Sequence, residues 1–252
     1  SLRRIIMNKI AIIIPTRLDA KRLPNKPLKL INNKEMILHV YEMAKRSDCG
    51  DVYVATPDQK IIEVVNNQGG NAVKTAAHHQ TGTDRVFEVF KEILKSKPNI
   101  IVNLQGDMPN ISPEAIKDLV SYIKKKKCDI ATLASDLHRD EIENENVVKV
   151  SVKEKLSLKS YSQALDFYRV NANLKHNLYH HVGIYAFTNE ALLRYVSLQR
   201  SKLEIERNLE QLRAIEDKMN IHVGYIKSSP LSVDTNEDLI NIKKLMENNE
   251  KK

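Results

Sequence analysis

Lys9-Ile-Ala-Ile-Ile-Ile-Pro-Thr-Arg-Leu-Asp-Ala-Lys-Arg-Leu-Pro-Asn-Lys-Pro-Leu28 is the stretch from which the rest of the chain can be read. The apolar run 10–14 has the composition of a strand buried on both faces, as in parallel sheets covered by helices. It stops at Pro15 and opens into a loop with Arg17, Lys21, Arg22 and Lys26, in which Asp19 is the one acid and Pro24 and Pro27 restrict the backbone. A buried strand that delivers four cations to one loop has the makings of a polyphosphate site. Taken alone, the stretch favours a solvated basic loop slightly. Residues further along the chain reverse that balance.

Outward from this strand, helix and strand patterns alternate. Met36, Ile37, Val40, Tyr41 and Ala44 mark one helical face, 51–56 a strand, and Ile61, Ile62, Val64 and Val65 a second helix ending near Gly69-Gly70. A strand at 72–75 leads to a third helix marked by Val86, Phe87, Val89, Phe90, Ile93 and Leu94. Strand 100–104 precedes Ser112-Pro113-Glu114, a helix start with an N-cap, a proline in the first turn and an acid at the positive end. That helix shows Ile116, Leu119, Val120 and Ile123 on one face and runs into Lys124 to Lys127, which suits a solvated C-terminus complementing the macrodipole. This alternation predicts an α/β fold, a doubly wound, mostly parallel sheet with helices on both faces. From about residue 129 the spacing changes: strands at 129–134, 147–152 and 180–187 have fewer helices between them, as in an antiparallel excursion. Helices at 189–196 and 201–217, a strand at 220–226 and a helix from 236 close the pattern. One domain over 7–247 is expected, with the excursion at about 135–217. Residues 1–6 and 248–252 are treated as tails, and Met7 is a candidate start.

The chain is long enough for a sizeable core, and its +8 charge suits an anionic small molecule as well as nucleic acid. With aromatics at 5% and no tryptophan it lacks a stacking platform for single strands, which argues against nucleic acid. Cys49 and Cys128 stand far apart without metal-ligand spacing and are expected to be reduced thiols in a cytoplasmic protein. No apolar stretch reaches the length of a membrane span.

The seven glycines fit neither a P-loop nor a dinucleotide fingerprint, so side-chain cations, foremost Arg17, Arg22 and Lys26, would have to hold any phosphate. In an open α/β sheet ligands sit outside the carboxyl ends of the strands. Strand 100–104 ends in Gln105-Gly106-Asp107, which delivers Asp107 to the rim that carries the basic loop. A carboxylate there needs a cation, either a loop side chain or Mg²⁺, which takes one or two carboxylates plus substrate phosphates. Val233-Asp234-Thr235 repeats the arrangement, with Asp238 as a capping-box partner for Thr235. Each acid alone fits a turn or a helix start. Together with the cationic loop they form the parts of metal-assisted nucleotidyl transfer. In His79-Gln-Thr-Gly-Thr-Asp-Arg85, Thr83 could cap the third helix and Gly82 could admit a ligand close to the backbone, where donors and acceptors could read a base edge.

At this point the blocks resemble the 3-deoxy-manno-octulosonate (Kdo) cytidylyltransferase family. They are Ile14-Pro-Thr-Arg17 with Arg22-Leu-Pro-Asn-Lys-Pro-Leu28, the 79–85 loop, Asn103-Leu-Gln-Gly-Asp-Met-Pro109, His181-Val-Gly-Ile-Tyr-Ala-Phe187, Leu203-Glu204 with Asn208-Leu-Glu-Gln-Leu-Arg213, and Val233-Asp-Thr-Asn-Glu-Asp-Leu239. They stand in the family's order from 9 to 245. The resemblance implies a three-layer Rossmann-like nucleotidyltransferase sheet and the coupling of CTP to Kdo, giving CMP-Kdo and pyrophosphate for lipopolysaccharide synthesis. It implies Mg²⁺ on Asp107 and Asp234, with Arg17, Lys26 and Asp107 in catalytic roles. Nucleotide contacts would come from Pro15, Thr16, Arg17, Arg22, Lys26, Thr81, Gly82, Thr83, Arg85 and Gln105. Sugar contacts would come from His181, Tyr185, Glu210 and Gln211. Without the resemblance, His181 fits a satisfied core histidine, and Glu210 and Gln211 fit solvated positions beside a core stripe. A homodimer built with the excursion is also implied.

Three positions depart from the family pattern: Met108 replaces an acid, Asn25 a glycine, and Gln163, in Tyr161-Ser-Gln-Ala-Leu-Asp-Phe-Tyr168, an arginine that could pair with the sugar carboxylate. Lys159, Arg169 and Lys175 are candidate replacements. The Gln163 segment keeps a related acid sugar, 8-amino-Kdo or a nonulosonic (sialic) acid, as an alternative. A non-catalytic nucleotide- or RNA-binding protein is the alternative of a different class.

Overall fold

The computed structural model of the protein describes residues 9–92, 98–125, 127–170 and 176–251. Ile93, Leu94, Lys126, Lys175 and the expected N-terminal tail with Met7 lie outside the described residues.

The elements run β1 (Ile10–Pro15), β2 (Leu30–Ile31), β3 (Lys34–Glu35), α1 (Met36–Arg46), β4 (Asp51–Thr56), α2 (Gln59–Asn67), β5 (Ala72–Lys74), α3 (Gly82–Glu92), β6 (Ile100–Leu104), α4 (Pro113–Ile123) and β7 (Ile130–Ser135). They continue with β8 (Lys149–Val152), β9 (Tyr161–Tyr168), β10 (Leu178–Thr188), α5 (Asn189–Ser197), α6 (Lys202–Arg207), α7 (Leu212–Glu216), β11 (Ile221–Tyr225) and α8 (Asn236–Glu250). The main sheet has the order β5-β4-β1-β6-β10-β7-β11-β9-β8.

Strand β1 lies between β4 and β6, parallel to both, with Ile12 opposite Val52 on one side and Val102 on the other. Its side chains divide as a strand's must: Ile10, Ile12 and Ile14 enter the core shared with α1 and α4, while Ala11 and Ile13 enter the core shared with α3 and α5. Ile12, Ile13 and Ile14 are fully buried, and each contributes roughly 1.5–3 kcal/mol relative to exposure. This double burial sets the three layers and places the end of β1 at the sheet's carboxyl rim. The expected start of α4 is present: the Ser112 hydroxyl accepts from Ala115 N at 3.1 Å, with Pro113 in the first turn.

The second half departs from parallel order because β10 runs antiparallel between β6 and β7. Its first residues also pair with β8, β8 with β9, β9 with β11, and β11 with β7. Five strands thereby pair in a closed circuit. Strand β9 was not among the expected elements; its alternation starts and ends in residues that read equally as loop. The expected helix 201–217 is two short helices. Asn208 adopts φ 53 and ends α6 in the left-handed conformation that asparagine tolerates. Glu210 and Gln211 therefore sit in the turn between α6 and α7, not on a helix face.

Candidate active site

A cleft of about 750 Å³ opens over the ends of β1 and β6, where the topology of an open α/β sheet places ligands. Its first wall is the basic loop. Thr16 N bonds Ala55 O at 3.0 Å, continuing the sheet, and Leu18 N bonds the Asp58 carboxylate at 2.8 Å. Pinned at that end, the loop turns through Asn25 into a short 3₁₀ helix, Lys26–Leu28. The Lys26 ammonium lies 3.2 Å from Asp234 Oδ1 and 3.9 Å from Asp107 Oδ2. Two acids separated by more than a hundred residues thus converge on one cation. Burial pushes the Asp107 carboxyl above its ordinary range, Lys26 pulls it down, and the negative charge of Asp234 pushes it up again, leaving it raised. Ser232 Oγ donates to Asp107 Oδ2 at 3.2 Å. Thr235 caps α8 reciprocally with Asp238, as expected, and this orders the turn that holds Asp234.

The second wall is the 79–85 loop. Thr81, not Thr83, caps α3: its hydroxyl accepts from Asp84 N at 3.2 Å and donates to Asp84 Oδ2 at 2.9 Å. Gly82 faces the cleft, and a Cβ there would come within 3.3 Å of Pro15 Cγ, so glycine lets the two loops close up. Arg85 also lines the cleft, but its Nη1 donates to Thr75 Oγ1 at 2.5 Å and Ala76 O at 2.7 Å and ties down the end of β5. Burial lowers its pKa, and the neighbouring Arg17 adds to that. Gln105 lines the floor, beside Gly183, where a Cβ would stand 3.3 Å from the glutamine amide.

A third wall was largely missed by sequence reasoning: Glu145, Asn146, Arg169 and Asn208 face the same space. Arg22 Nη1 reaches across to Asn146 Oδ1 at 2.7 Å. Of these residues Arg169 was expected only as a candidate replacement for the arginine absent at position 163, and Asn208 stood only in a block of the family resemblance.

Pro15, Thr16, Arg17, Arg22, Lys26, Thr81, Gly82, Arg85, Gln105, Asp107 and Asp234 all line the cleft. Thr83, His181, Tyr185, Glu210 and Gln211 are not among its lining residues. Thr83 is buried, donates its hydroxyl to Glu210 and accepts from Asn103 Nδ2 at 3.2 Å. His181 is a core residue: Thr132 Oγ1 lies 2.9 Å from its Nε2, Phe167 meets it edge-on, and burial lowers its pKa to about 3. Tyr185 is buried next to Glu210 and Arg169, and burial raises its pKa. Burial also raises the Glu210 carboxyl, against the hydroxyls of Thr83 and Thr81. Beneath these, Arg213 forms a two-pronged pair with Glu204, 2.8 Å on each arm, and both are buried.

A family model described as Cytidylyltransferase matches residues 11–221. The chain is 39% identical to a 3-deoxy-manno-octulosonate cytidylyltransferase of Bartonella bacilliformis, over 94% of this chain and 98% of the relative. It is 41% identical to the protein of the same name from Brucella canis, over 92% and 93%. The chain belongs to the 3-deoxy-manno-octulosonate cytidylyltransferase family. A structure described as CMP:2-keto-3-deoxy-manno-octonic acid synthetase complexed with CTP superposes at TM-score 0.85 with 35% identity, covering 96% of this chain and 99% of the other. A 4-diphosphocytidyl-2C-methyl-D-erythritol synthase from Anaerococcus prevotii shares the fold alone, at TM-score 0.63 and 14% identity over 95% and 99%.

In this member of the family, the three departures from the family pattern acquire physical accounts. Asn25 takes φ 58, a left-handed conformation in which asparagine is the usual substitute for glycine. Met108 is 3% exposed, belongs to the same core cluster as Ile37 and Ile111, and is not among the residues lining the cleft. Gln163 is exposed on β9 opposite His222 and does not line the cleft. Lys159 lies along a separate groove, whereas Arg169 is the candidate replacement that the fold brings to the cleft.

Proposed function

We propose that this cytidylyltransferase couples CTP to Kdo, with Mg²⁺, to form CMP-Kdo and release pyrophosphate. The observation that carries this reading is the convergence of Asp107 and Asp234 on the Lys26 ammonium, opposite Arg17 and Arg22 in one cleft. Among the described residues no three His, Cys, Asp or Glu side chains gather in a way that could hold a metal. A cation here would therefore rest on two carboxylates and the substrate's phosphates, a set of hard oxygens that fits Mg²⁺. Asp107 and Asp234 would hold it, and when bound it neutralises charge that builds on the reacting phosphate.

The chain's own residues supply the rest. Arg17, Arg22 and Lys26 bind the β- and γ-phosphates and stabilise the charge of the departing pyrophosphate. The 79–85 loop and Gln105 receive the nucleoside. Arg169 presents its guanidinium to the carboxylate of the acid sugar, orienting the anomeric hydroxyl for attack on the α-phosphorus. Charged clamps of this kind are worth several kcal/mol, and each ~1.4 kcal/mol is tenfold in rate. Tyr185 and Glu210, one layer below, reach the sugar only through a rearrangement of the floor. Gln163 does not line the cleft and so does not weigh against Kdo.

The active unit spans 7–247, acts in the cytoplasm, where CTP is made, and works as a homodimer. Support for the dimer comes from Leu158, just before β9, and Leu165 on it, 70% and 52% exposed. Among the described residues no helix is long and apolar enough to cross a membrane. The decisive assay is pyrophosphate release with CTP, Mg²⁺ and Kdo, against a panel of 8-amino-Kdo and nonulosonic acids. Release with Kdo as the preferred acid is expected. Release with another acid but not Kdo would overturn the substrate, and none with any acid, together with salt-dependent RNA binding, the whole reading.

A further inference from the structure

Lys149 is fully buried in β8, where lysine is rare unless its charge is satisfied. No carboxylate pairs with it among the described residues; its ammonium donates to two backbone carbonyls, Asn144 O at 2.6 Å and Arg169 O. Arg169 is part of the third wall of the cleft, and Asn144 directly precedes Glu145 and Asn146 of that wall. Asn144 O also accepts Val147 N at 3.0 Å, closing the turn that presents Glu145 and Asn146. Arg169 in turn bonds Glu145 O at 3.2 Å, Arg207 O at 3.2 Å and Asn208 O at 3.0 Å. Asn146 receives Arg22 from the basic loop. Burial works against this charge, Glu143 and Glu141 favour it from a distance, and its direct partners are the two carbonyls, so the ammonium costs stability and returns geometry.

We propose that Lys149 is a positioning residue, its ammonium clamping the 144–146 turn to the end of β9 so that Arg169 and Asn146 stand as one wall. Its donors are fixed by burial, so the wall is preset before substrate arrives. The consequence for the sugar rests on the reading that Arg169 takes the acid-sugar carboxylate; the clamp itself does not.

Lys149→Met removes the donors and keeps the apolar stem, and Lys149→Arg keeps a charged donor. In Lys149→Met, hydrogen exchange is expected to lose protection at 144–147 and 207–209 while β1 and β6 stay protected. The KM for Kdo is expected to rise about tenfold with kcat changed less than threefold, one hydrogen-bonded charge's worth of positioning. Lys149→Arg should recover part of both. In an Arg169→Gln background, Lys149→Met should add no further rise in KM. Unchanged protection at 144–147, or a KM effect fully additive with Arg169→Gln, would overturn the clamp. Arg169→Gln alone with an unaltered KM for Kdo would instead overturn the reading of Arg169, with the exchange data still judging Lys149. Should Lys149→Met fail to fold, the same exchange and KM comparisons between Lys149→Arg and the unmutated enzyme decide, with identity between them counting against the clamp.

Discussion

The backbone N–H of Val233 donates to the carbonyl of Asp107 at 2.8 Å. Through this bond the segment after β11 is stitched to the segment after β6, and Asp234 is held directly beside Asp107. Val233 is fully buried with Leu23, Ile31 and Met36, so the stitch is anchored in a small core beneath the basic loop. Val233→Pro removes the donor, and Val233→Ala keeps it. Displacing a reacting group by about 1 Å costs roughly 100-fold, so Val233→Pro should lose turnover on that scale while Val233→Ala retains most of it. Equal rates of pyrophosphate release from the two variants would show the bond to be dispensable.

Asp107→Asn keeps the side chain's shape and removes its charge. Turnover is expected to fall at least roughly 100-fold, with the thermal midpoint little changed, since removing a raised, partly desolvated carboxylate relieves burial. A rate near that of the unmutated enzyme would dismiss the metal assignment.

The Glu204–Arg213 pair is a stability element. Burial pushes the Glu204 carboxyl up, but hydrogen bonds from Arg213 and Arg200 overcome that and hold it below its ordinary value. A depressed carboxyl contributes stability above its unfolded pKa and loses it as pH falls through the folded value, so this contribution fades below about pH 4.3. Glu204→Gln strands a buried guanidinium, and urea unfolding should show a loss of about 3 kcal/mol. Adding Arg213→Met should restore part of it; no restoration would mean that the pair matters through packing alone.

His181 gives a second pH signature, in a different window. Neutral when folded, with a pKa of about 3 against an ordinary 6.5, it leaves the unfolded chain to take up a proton first as pH drops. Stability should therefore decline from about pH 6.5 downward, by at most about 1.4 kcal/mol per unit from this group. His181→Phe keeps the ring against Phe167, and its urea midpoint should fall less between pH 7 and 5. A parallel decline in both proteins would exclude His181 as the source.

The parts legible in the sequence were those whose cause is local. The run 10–14 announces double burial by composition, and Ser112 and Thr235 announce helix starts by capping chemistry. The two acids could be placed because strands that end on one rim bring the residues just beyond them to one place. Thr83 was misread as a cap because Thr81, two residues earlier, offers the same chemistry. Asn208 hid a helix break, since asparagine at φ 53 looks like any polar residue on a helix. Of the wall built from Glu145, Asn146, Arg169 and Asn208, only Arg169 was a candidate from the sequence; the rest depends on long-range hydrogen bonds from Lys149, Arg22 and Arg169, and a lysine between valines gives no sign that it will be buried.

The circuit of β7, β11, β9, β8 and β10 leaves the main sheet, among the described residues, with β5 as its one unpaired margin. That margin spans only Ala72–Lys74 and ends in a lysine, a combination that discourages an incoming strand from another molecule. The main sheet therefore offers a second molecule little backbone to extend, and any association through this face would have to rest on side chains.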